Sequence, residues 1–410
     1  MTRALATLTL LFAVPALASA GPFGIAVTGG KTDQTNVVCT FKVPAGDPVN
    51  VQALRTPDGK LLDAQTLKPG VLDPQDKSQY VVFVLPSLKA GETISLSLAE
   101  PREARTPAFA FDPEKDGQTD LTFGTRKVLS YFHPKHDPKD HYYTFKPFHN
   151  VFDPAKGELM LTNSSAKTAK DGQFPHHRGL FFGFNRISYG EKKTADIWHG
   201  HDNVYSQHDG TLSSVGGPVA GRHTCSIGWY GKDGAEFARE TREVTAYAAP
   251  GGTMIDWSTV LSTKLDKVRL DGDPQHAGFH FRANQEVAKN GKENTYYLRP
   301  DGKGEPGKFR NWDAKGKDPK TTNLPWNALS MVTGGKRYTV LRINHPENPK
   351  ETRGSERDYG RFGDYFEYDL TPDKPLKLRY RVWVQEGEMT VEQCNALAAA
   401  FVTPPETKAK

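Results

Sequence analysis

Apolar and polar positions alternate in short runs along most of the chain. Segments rich in Val, Ile, Thr, Tyr and Phe are separated by turns that draw on 38 glycines and 29 prolines. The segment 376–384 alternates with period two, as a half-buried strand does. Similar runs occur at 37–43, 80–85, 93–98 and 338–343. This pattern predicts an all-β protein built from antiparallel strands.

The end of the chain has a different pattern. Residues 391–402 are rich in Ala and Leu. Thr390 precedes this run and Gln393 follows three residues later, which is the spacing of a capping box. Pro404 lies just beyond the run and cannot continue a helix. We therefore expect a short C-terminal helix and, after it, a loose tail at 406–410.

The first twenty residues have the three parts of a cleavable signal peptide. Arg3 precedes an apolar run at 4–14, and small residues at 18–20 suit a cleavage site. The run is shorter than the roughly 20 apolar residues that span a bilayer, and no later stretch is apolar enough to do so. We therefore expect a periplasmic or secreted protein without a membrane span.

The rest of the chain divides near residue 105. Residues 21–105 have the strand spacing of a small β-sandwich-like domain, which ends in a linker-like run at 100–107. Residues 106–405 predict one large antiparallel β-sandwich domain. A polar insert at 290–322 predicts an exposed loop at the rim of a site.

Composition and missing motifs remove several classes of function. The net charge of +5 is small for 410 residues and no segment resembles a basic groove, so no nucleic-acid partner is expected. The sequence contains no Gly-rich phosphate loop, G-x-S-x-G elbow, H-E-x-x-H motif or EF-hand loop. The three cysteines lie far apart, which leaves both one disulfide plus one thiol and three buried thiols open.

Histidine is unevenly distributed, since nine of the 13 lie between positions 133 and 208. Histidine is the usual general base and metal ligand near neutral pH, so the cluster predicts a site. His176, His177 and Arg178 run directly into an apolar strand, which places them at the mouth of a cleft. In a strand the two histidines face opposite sides, so one of them is expected in the cleft. Arg178 offers a two-pronged donor for a carboxylate or sulfate.

Two further segments carry candidate groups. His199 and His201 would share one face of an extended strand, which suits a metal ion if a third ligand comes from elsewhere. Trp198, just before His199, either stacks on a sugar ring or belongs to the core. His276 and Arg282 share a face of a later strand and are a candidate base and a candidate anion clamp.

A charged loop at 354–363 precedes the final strands. Glu356, Tyr359 and Arg361 lie within six residues of one another. They could form an acid/base site, or a salt-bridge network that braces a turn, and the sequence leaves both interpretations open.

Five motifs in the second part of the chain belong together: 175–180, Trp326 within 325–328, 345–349, 356–363 and 385–388. They resemble an exported bacterial family that carries the label "methane oxygenase PmoA", contains a domain of unknown function and is common in planctomycetes. The resemblance covers roughly residues 110–402.

The strand-rich layout of the large domain is similar to the galactose-mutarotase-like supersandwich. That resemblance implies a concave sheet face whose His, Arg, Tyr and carboxylate side chains act on sugars. We therefore expect a carbohydrate-active protein, and an enzyme of the lyase, hydrolase or epimerase type. The expected partner is a carbohydrate, and an acidic group on it stays open. No cofactor is expected, although a divalent metal at His199 and His201 stays open.

The expected roles follow from these groups. His176 or His199 is the expected base, with His276 as a further candidate, and Glu356 or Tyr359 is the expected acid.

Arg178 and Arg282 are expected to hold an acidic substituent or the developing oxyanion. The remaining expected substrate contacts are His177, Trp198 and Arg361.

Two other functions stay open. A non-catalytic glycan-binding envelope protein would use Trp198 and Trp312 as stacking platforms. A metal-dependent oxygenase would match the family label. The membrane methane monooxygenase subunit of that name crosses the bilayer several times, and this chain has no stretch suited to that.

Overall fold

The computed structural model describes residues 24–43, 50–101, 107–168 and 170–410. The expected signal peptide and most of the expected linker lie outside the described residues. No helix in the described part of the chain is long and apolar enough to cross a membrane.

The described strands fall into three stretches of the chain. The first stretch contains β1 (Gly24–Thr28), β2 (Gln34–Val43), β3 (Ala53–Arg55), β4 (Leu61–Leu67), β5 (Gln79–Leu88) and β6 (Thr93–Leu98). The second contains β7 (Phe109–Phe111), β8 (Gln118–Phe123), β9 (Arg126–Phe132), β10 (Phe148–Val151), β11 (Leu180–Phe184), β12 (Arg186–Tyr189), β13 (Lys193–Ala195), β14 (Tyr205–Val215), β15 (Ala220–Tyr230), β16 (Glu236–Tyr247), β17 (Thr253–Ser262), β18 (Val268–Asp271) and β19 (Ala277–Arg282). The third contains β20 (Tyr296–Arg299), β21 (Gly302–Lys303), β22 (Trp326–Thr333), β23 (Lys336–Asn344), β24 (Arg353–Arg357), β25 (Arg361–Tyr365), β26 (Tyr368–Leu370), β27 (Leu376–Glu386) and β28 (Glu406–Ala409).

Helices are short among the described residues. The α-helices are α1 (His141–Thr144), α2 (Gln285–Asn290) and α3 (Val391–Val402). Single 3-10 turns occupy Pro138–Asp140, His201–Asn203, Lys292–Asn294 and Pro319–Thr321. The all-β class and the short C-terminal helix expected from the sequence are confirmed.

The N-terminal strands form a seven-stranded sheet in the order β2-β5-β4-β3-β6-β1-β28. Its last strand comes from the chain terminus, and Ile25 in β1 lies opposite Ala409 in β28. The expectation of a loose tail at 406–410 is therefore wrong. The edge of β1 offers unpaired backbone groups, and the tail satisfies them as an antiparallel strand.

The large domain is a sandwich of two antiparallel sheets. One has the order β24-β25-β19-β11-β10-β9-β8-β7, and the other β14-β15-β16-β17-β27-β23-β22-β20-β21. The core lies between them, where Phe182 of β11 packs 5.6 Å from Trp229 and Phe279 of β19 packs 4.8 Å from Trp257, measured between ring centroids. A four-stranded sheet, β13-β12-β18-β26, completes the described part of the domain.

The insert at 290–322 is only partly the exposed loop that its composition predicts. Tyr296–Arg299 is a fully buried strand that pairs with β22. The polar residues that follow it are mostly exposed.

Helix α3 begins with the capping box expected from its sequence. The Thr390 hydroxyl accepts a hydrogen bond from the Gln393 backbone N–H at 3.2 Å, and the Gln393 side chain accepts one from the Thr390 N–H at 2.9 Å. Cys394 and Leu397 on its buried face join the core under the N-terminal sheet. The three cysteines are all buried and unpaired.

The Thr390→Ala variant should lower the free energy of unfolding by about 1 kcal/mol, because the Gln393 backbone N–H loses its acceptor. Urea denaturation followed by circular dichroism measures this value. The Thr390→Ser variant keeps the hydroxyl and should match the parent protein. Equal stability of Thr390→Ala and the parent would contradict the role of the cap.

Candidate active site on the outer sheet face

The candidate site lies on the outer face of the eight-stranded sheet. In β19, Phe279 and Phe281 belong to the sandwich core, so the alternate residues His280 and Arg282 face outward. Phe181 of β11 is next to them on the same outer face, with its ring centroid 6.1 Å from that of His280. The sequence predicted this shared polar face for β19.

A buried tryptophan covers this floor. The Trp198 ring lies 4.6 Å from Phe181 and 4.9 Å from His280 between centroids, and the side chain is fully buried. Trp198 is therefore part of the packing beneath the site rather than an open stacking platform. Trp312, the other expected platform, packs against Arg353.

Five histidines converge above this floor. The rings of His176 and His199 lie 4.8 Å apart, and those of His199 and His276 lie 4.9 Å apart. His201 stacks parallel to His199 at 4.9 Å. His177 lies 4.2 Å from His176 and 6.2 Å from His276. Three separate loops bring these side chains together, and we call this group the histidine cluster.

The local structure of these loops differs from the expected strands. His176 and His177 lie in a turn before β11, so both rings reach the cluster instead of facing opposite sides. His199 lies in a turn and His201 begins a 3-10 helix, with Gly200 between them at a φ of 74°. A Cβ at Gly200 would lie 2.5 Å from the Phe145 ring, so only glycine fits there.

Two carboxylates orient two of the imidazoles. Asp196 Oδ2 lies 2.8 Å from His199 Nδ1, and Asp273 Oδ1 lies 2.9 Å from His276 Nδ1. A carboxylate can only accept, so Nδ1 carries the proton and Nε2 presents its lone pair in the neutral ring. No described residue forms a hydrogen bond with Nε2 of His199 or His276. These two nitrogens are available to a ligand.

The members of the cluster differ in the pKa of their side chains. Burial opposes ionisation of Asp273, but the hydrogen bond and charge of His276 hold the pKa of its carboxyl below the usual value. Burial, reinforced by the charge of Lys146, lowers the pKa of His176 to about 2. Burial also holds the pKa of His177 well below its usual value. His176 and His177 are therefore neutral at physiological pH.

Three buried basic side chains lie around the floor without a carboxylate partner among the described residues, and burial holds the pKa of one of them, Lys146, well below its usual value. Lys146 donates to the Trp198 carbonyl at 2.7 Å, and Arg282 donates to the Tyr359 carbonyl at 2.7 Å. Arg361 lies 3.1 Å from Nδ1 of His280. Burial lowers the pKa of Arg282 to about 10, which leaves it charged at neutral pH. The floor of the site is therefore electropositive.

Arg178 has a different role from the one expected. Its guanidinium donates to four backbone carbonyls, including that of Tyr143 at 3.2 Å and that of Pro175 at 3.4 Å. These carbonyls belong to the loops around the histidine cluster. Arg178 braces those loops, and its donors do not form the open fork that would grip a carboxylate.

Glu356 also lies away from the cluster. It forms a buried ion pair with Arg299 and accepts from Asn327 at 3.3 Å, and both partners belong to the nine-stranded sheet. This is the salt-bridge interpretation of the 354–363 segment, which forms the paired strands β24 and β25 rather than the expected loop. Tyr359 points the other way, with its ring 6.4 Å from His177 and 4.8 Å below the Arg282 guanidinium.

Sequence reasoning missed three members of the site. Asp196 and Asp273 each precede a cluster histidine by three residues. This repeated D-x-x-H spacing in the sequence indicates both carboxylate–histidine pairs. Phe174 is 45% exposed, its backbone has a φ of 48°, and its ring lies 5.1 Å from Tyr359. A bulky residue in this left-handed region is uncommon. Phe174 therefore offers an exposed aromatic surface at the rim.

The histidine enrichment includes a second group, separate from the first. His133, His149, His208 and His223 surround Tyr131, with ring centroids between 4.4 and 5.5 Å from it. Tyr131 and His223 line a small cavity between the sheets. Burial lowers the pKa of His133, His208 and His223 to about 4.

These features define a large antiparallel β-sandwich with an open histidine site on one sheet face. The chain belongs to DUF6807, a family of unknown function, whose model matches residues 118–399. No curated protein matches the chain.

Solved structures show distant similarity to the chain. A glycosyl hydrolase family 38 protein and an alpha-mannosidase, both from Enterococcus faecalis, each show 9% identity, a TM-score of 0.46 and coverage of 95% of this chain. The chain spans about half the length of both, 47% and 46% respectively. A galactose mutarotase related enzyme from Lactobacillus acidophilus shows 10% identity and a TM-score of 0.30, and the alignment covers 69% of this chain and 98% of that one.

The buried histidines around Tyr131 should make stability depend on pH. Their pKa of about 4 in the folded state lies below the ordinary 6.5. The unfolded chain therefore binds these protons first as the pH falls. Their contribution to stability is fully present above pH 6.5 and is lost between pH 6.5 and 4. Each histidine adds up to about 1.4 kcal/mol per pH unit to that slope.

The His208→Asn variant should remove one such contribution and flatten the dependence of unfolding free energy on pH. Urea denaturation at several pH values between 4.5 and 7.5 measures the slope. His201→Ala changes an exposed histidine and serves as the control. An unchanged slope in His208→Asn would contradict the assignment.

Proposed function

We propose that the chain is an exported carbohydrate-active enzyme in which the histidine cluster transfers protons to and from a sugar. The observation that carries the proposal is the His276–Asp273 pair, whose Nδ1–Oδ1 distance is 2.9 Å. The signal-peptide pattern at 1–20 supports export.

His276 is suited to act as the base. Its side chain is partly exposed, and its Nε2 forms no hydrogen bond with any described residue. Asp273 fixes the ring tautomer and stabilises the imidazolium that forms when Nε2 takes a proton. His276 therefore replaces His176 as the preferred base, because burial keeps the pKa of His176 near 2.

The second pair, His199–Asp196, faces His276 across 4.9 Å between ring centroids. A sugar oxygen or ring carbon between these groups would have a base on one side and an oriented polar group on the other. Cleavage, elimination and epimerisation of sugars all require such a pair of proton-handling or polarising groups. Tyr359 is the remaining candidate acid.

The surroundings favour an acidic carbohydrate. Phe174, backed by the buried Tyr359 ring, presents an exposed aromatic ring on which the apolar face of a sugar can pack. Arg282 and Arg361 give the floor a positive potential in a weakly solvated environment, which attracts a carboxylate or sulfate. A uronic acid or sulfated sugar satisfies both features.

A glycan-binding protein without catalysis is the second candidate function. The observation that favours it is Phe174, since an exposed ring in an unfavourable backbone conformation serves binding whether or not a reaction follows. Binding without product formation distinguishes this function from the enzyme.

The Asp273→Asn variant should lower kcat on an acidic polysaccharide by 10²- to 10⁴-fold, roughly the contribution of general base catalysis. The amide keeps the shape of the side chain but cannot stabilise the imidazolium. Reducing-end and ultraviolet assays on a panel of uronate-containing and sulfated glycans provide the measurement.

Glu347→Gln is the matched control for that variant. It alters a histidine–carboxylate pair, His345–Glu347, whose Nδ1–Oε2 distance is 3.6 Å and which lies outside the cluster. The control should retain full activity. Equal activity of Asp273→Asn and the parent enzyme would exclude the pair as the base.

The Phe174→Ala variant should raise KM about tenfold with little change in kcat, because the ring contacts the bound sugar and not the reacting atoms. Phe174→Tyr keeps an aromatic surface and should restore binding. The panel that identifies the substrate provides both constants. An unchanged KM in the alanine variant would remove Phe174 from the binding surface.

A further inference from the structure

One part of the histidine cluster has the donor set of a metal centre. Ligand atoms of Asp196, His199 and His201 all lie within 4.8 Å of one another. Asp196 Oδ2 lies 2.8 Å from His199 Nδ1 and 3.3 Å from His201 Nδ1. Donor atoms bonded at about 2.0–2.2 Å to one ion have similar mutual separations, and an ion bound here would take the place of the Nδ1 proton of His199.

We propose that Asp196, His199 and His201 bind one divalent transition-metal ion. Two imidazole nitrogens and one carboxylate on one side of an ion suit zinc, or iron(II) in a facial triad, and leave the remaining coordination positions free. The sequence predicted the histidine pair, and the structure supplies the third ligand from three residues before His199.

Exposure gives the ion a route from solvent and leaves room for a ligand. The His201 side chain is 72% exposed, whereas those of His199 and Asp196 are 19% and 17% exposed. The open coordination positions therefore lie on the solvent side. The two more buried ligands are held in place by the turn itself, since Asp196 Oδ1 accepts from the His199 backbone N–H at 2.8 Å.

A second observation points to a ligand in the same place. Nε2 of His176 is buried and has no hydrogen-bond partner, and its ring lies 4.8 Å from that of His199. A buried polar atom without a partner costs about 1–3 kcal/mol. His176 is not among the three ligands, so a water bound to the ion would give this nitrogen a partner.

The charge balance permits a cation despite the positive floor. Asp196 and Asp273 provide two carboxylates within the cluster. Burial holds the pKa of Lys146 well below its usual value, which weakens its repulsion of an ion. His176 and His177 are neutral for the same reason.

This site shares the His199–Asp196 pair with the proposed active site but does not include the proposed base. The His276–Asp273 pair is not among the three ligands, so loss of metal binding leaves the base in place. If both are present, the ion would polarise the substrate oxygen that faces His276, which is the usual contribution of a Lewis acid.

The full chain, stripped with a chelator, provides the test. Isothermal titration with Zn²⁺, and anaerobically with Fe²⁺, should show one ion per chain, while Mg²⁺ at the same concentration should not bind because it prefers oxygen ligands. Co²⁺ gives a visible absorption band that reports the coordination.

His201→Ala should weaken Zn²⁺ binding at least about 100-fold, since even outer-shell partners of a metal site contribute 10- to 100-fold. The side chain is exposed, so its removal should leave the melting temperature unchanged. His276→Ala is the matched control, as a cluster histidine outside the ligand set, and should change the affinity by no more than a few-fold.

Failure to bind Zn²⁺, Fe²⁺ or Co²⁺, or equal affinity in His201→Ala and the parent chain, would overturn the metal site. A larger loss in His276→Ala than in His201→Ala would place the ion elsewhere in the cluster and would also overturn this assignment. Failure to bind a metal, or equal affinity in His201→Ala and the parent chain, leaves the kinetic test of Asp273 unaffected.

Discussion

The alternation of side chains along β19 is the constraint on which the site depends. Phe279 packs against Trp257 in the sandwich core, so His280 is forced onto the outer face. A shift of one residue in the pairing of β19 with its neighbours would exchange these faces. Gly278, at a φ of 92°, holds the backbone against Asp364, where a Cβ would lie 1.9 Å from the carbonyl oxygen. Alternate side chains of β19 thus contribute to the core on one face and to the site on the other.

Buried arginines have different partners in the core and beneath the histidine cluster. In the core and the nine-stranded sheet, buried arginines have carboxylate partners, such as Arg242 with Glu240 at 2.7 Å and Arg381 with Asp256 at 2.6 Å. Beneath the histidine cluster, the buried cation Arg282 is held by carbonyls instead. A cation held by neutral acceptors keeps its full charge and its field. The described part of the fold therefore maintains a positive potential beneath the histidine cluster.

Some of the molecule followed directly from local sequence pattern. The capping box at Thr390 and the strand alternation depend on neighbours a few residues apart, and both have the expected structure. The shared outward face of His280 and Arg282 follows from the same period of two. The D-x-x-H spacing of the two carboxylate–histidine pairs is equally local, so both pairs could have been predicted from the sequence.

Other features depend on contacts between distant segments. Arg178 was predicted to be an anion clamp from its chemistry alone, and Glu356 an acid. Arg178 donates hydrogen bonds to carbonyls of the 142–143 and 166 segments, and Glu356 forms an ion pair with Arg299. Nothing near either residue in the chain indicates these partners. The division of the histidines into two groups likewise depends on which loops the sheets bring together.

The sequence by itself determined the all-β class, the C-terminal helix and the concentration of histidine, because strand period, capping and composition are local properties. The tertiary structure decided which histidines meet, which of them are neutral, and which carboxylates orient them. Asp196 and Asp273 are 77 positions apart, yet their histidines lie 4.9 Å from each other. Burial and the pairing of distant strands set those distances and pKa values, and a pattern of neighbouring residues does not contain them.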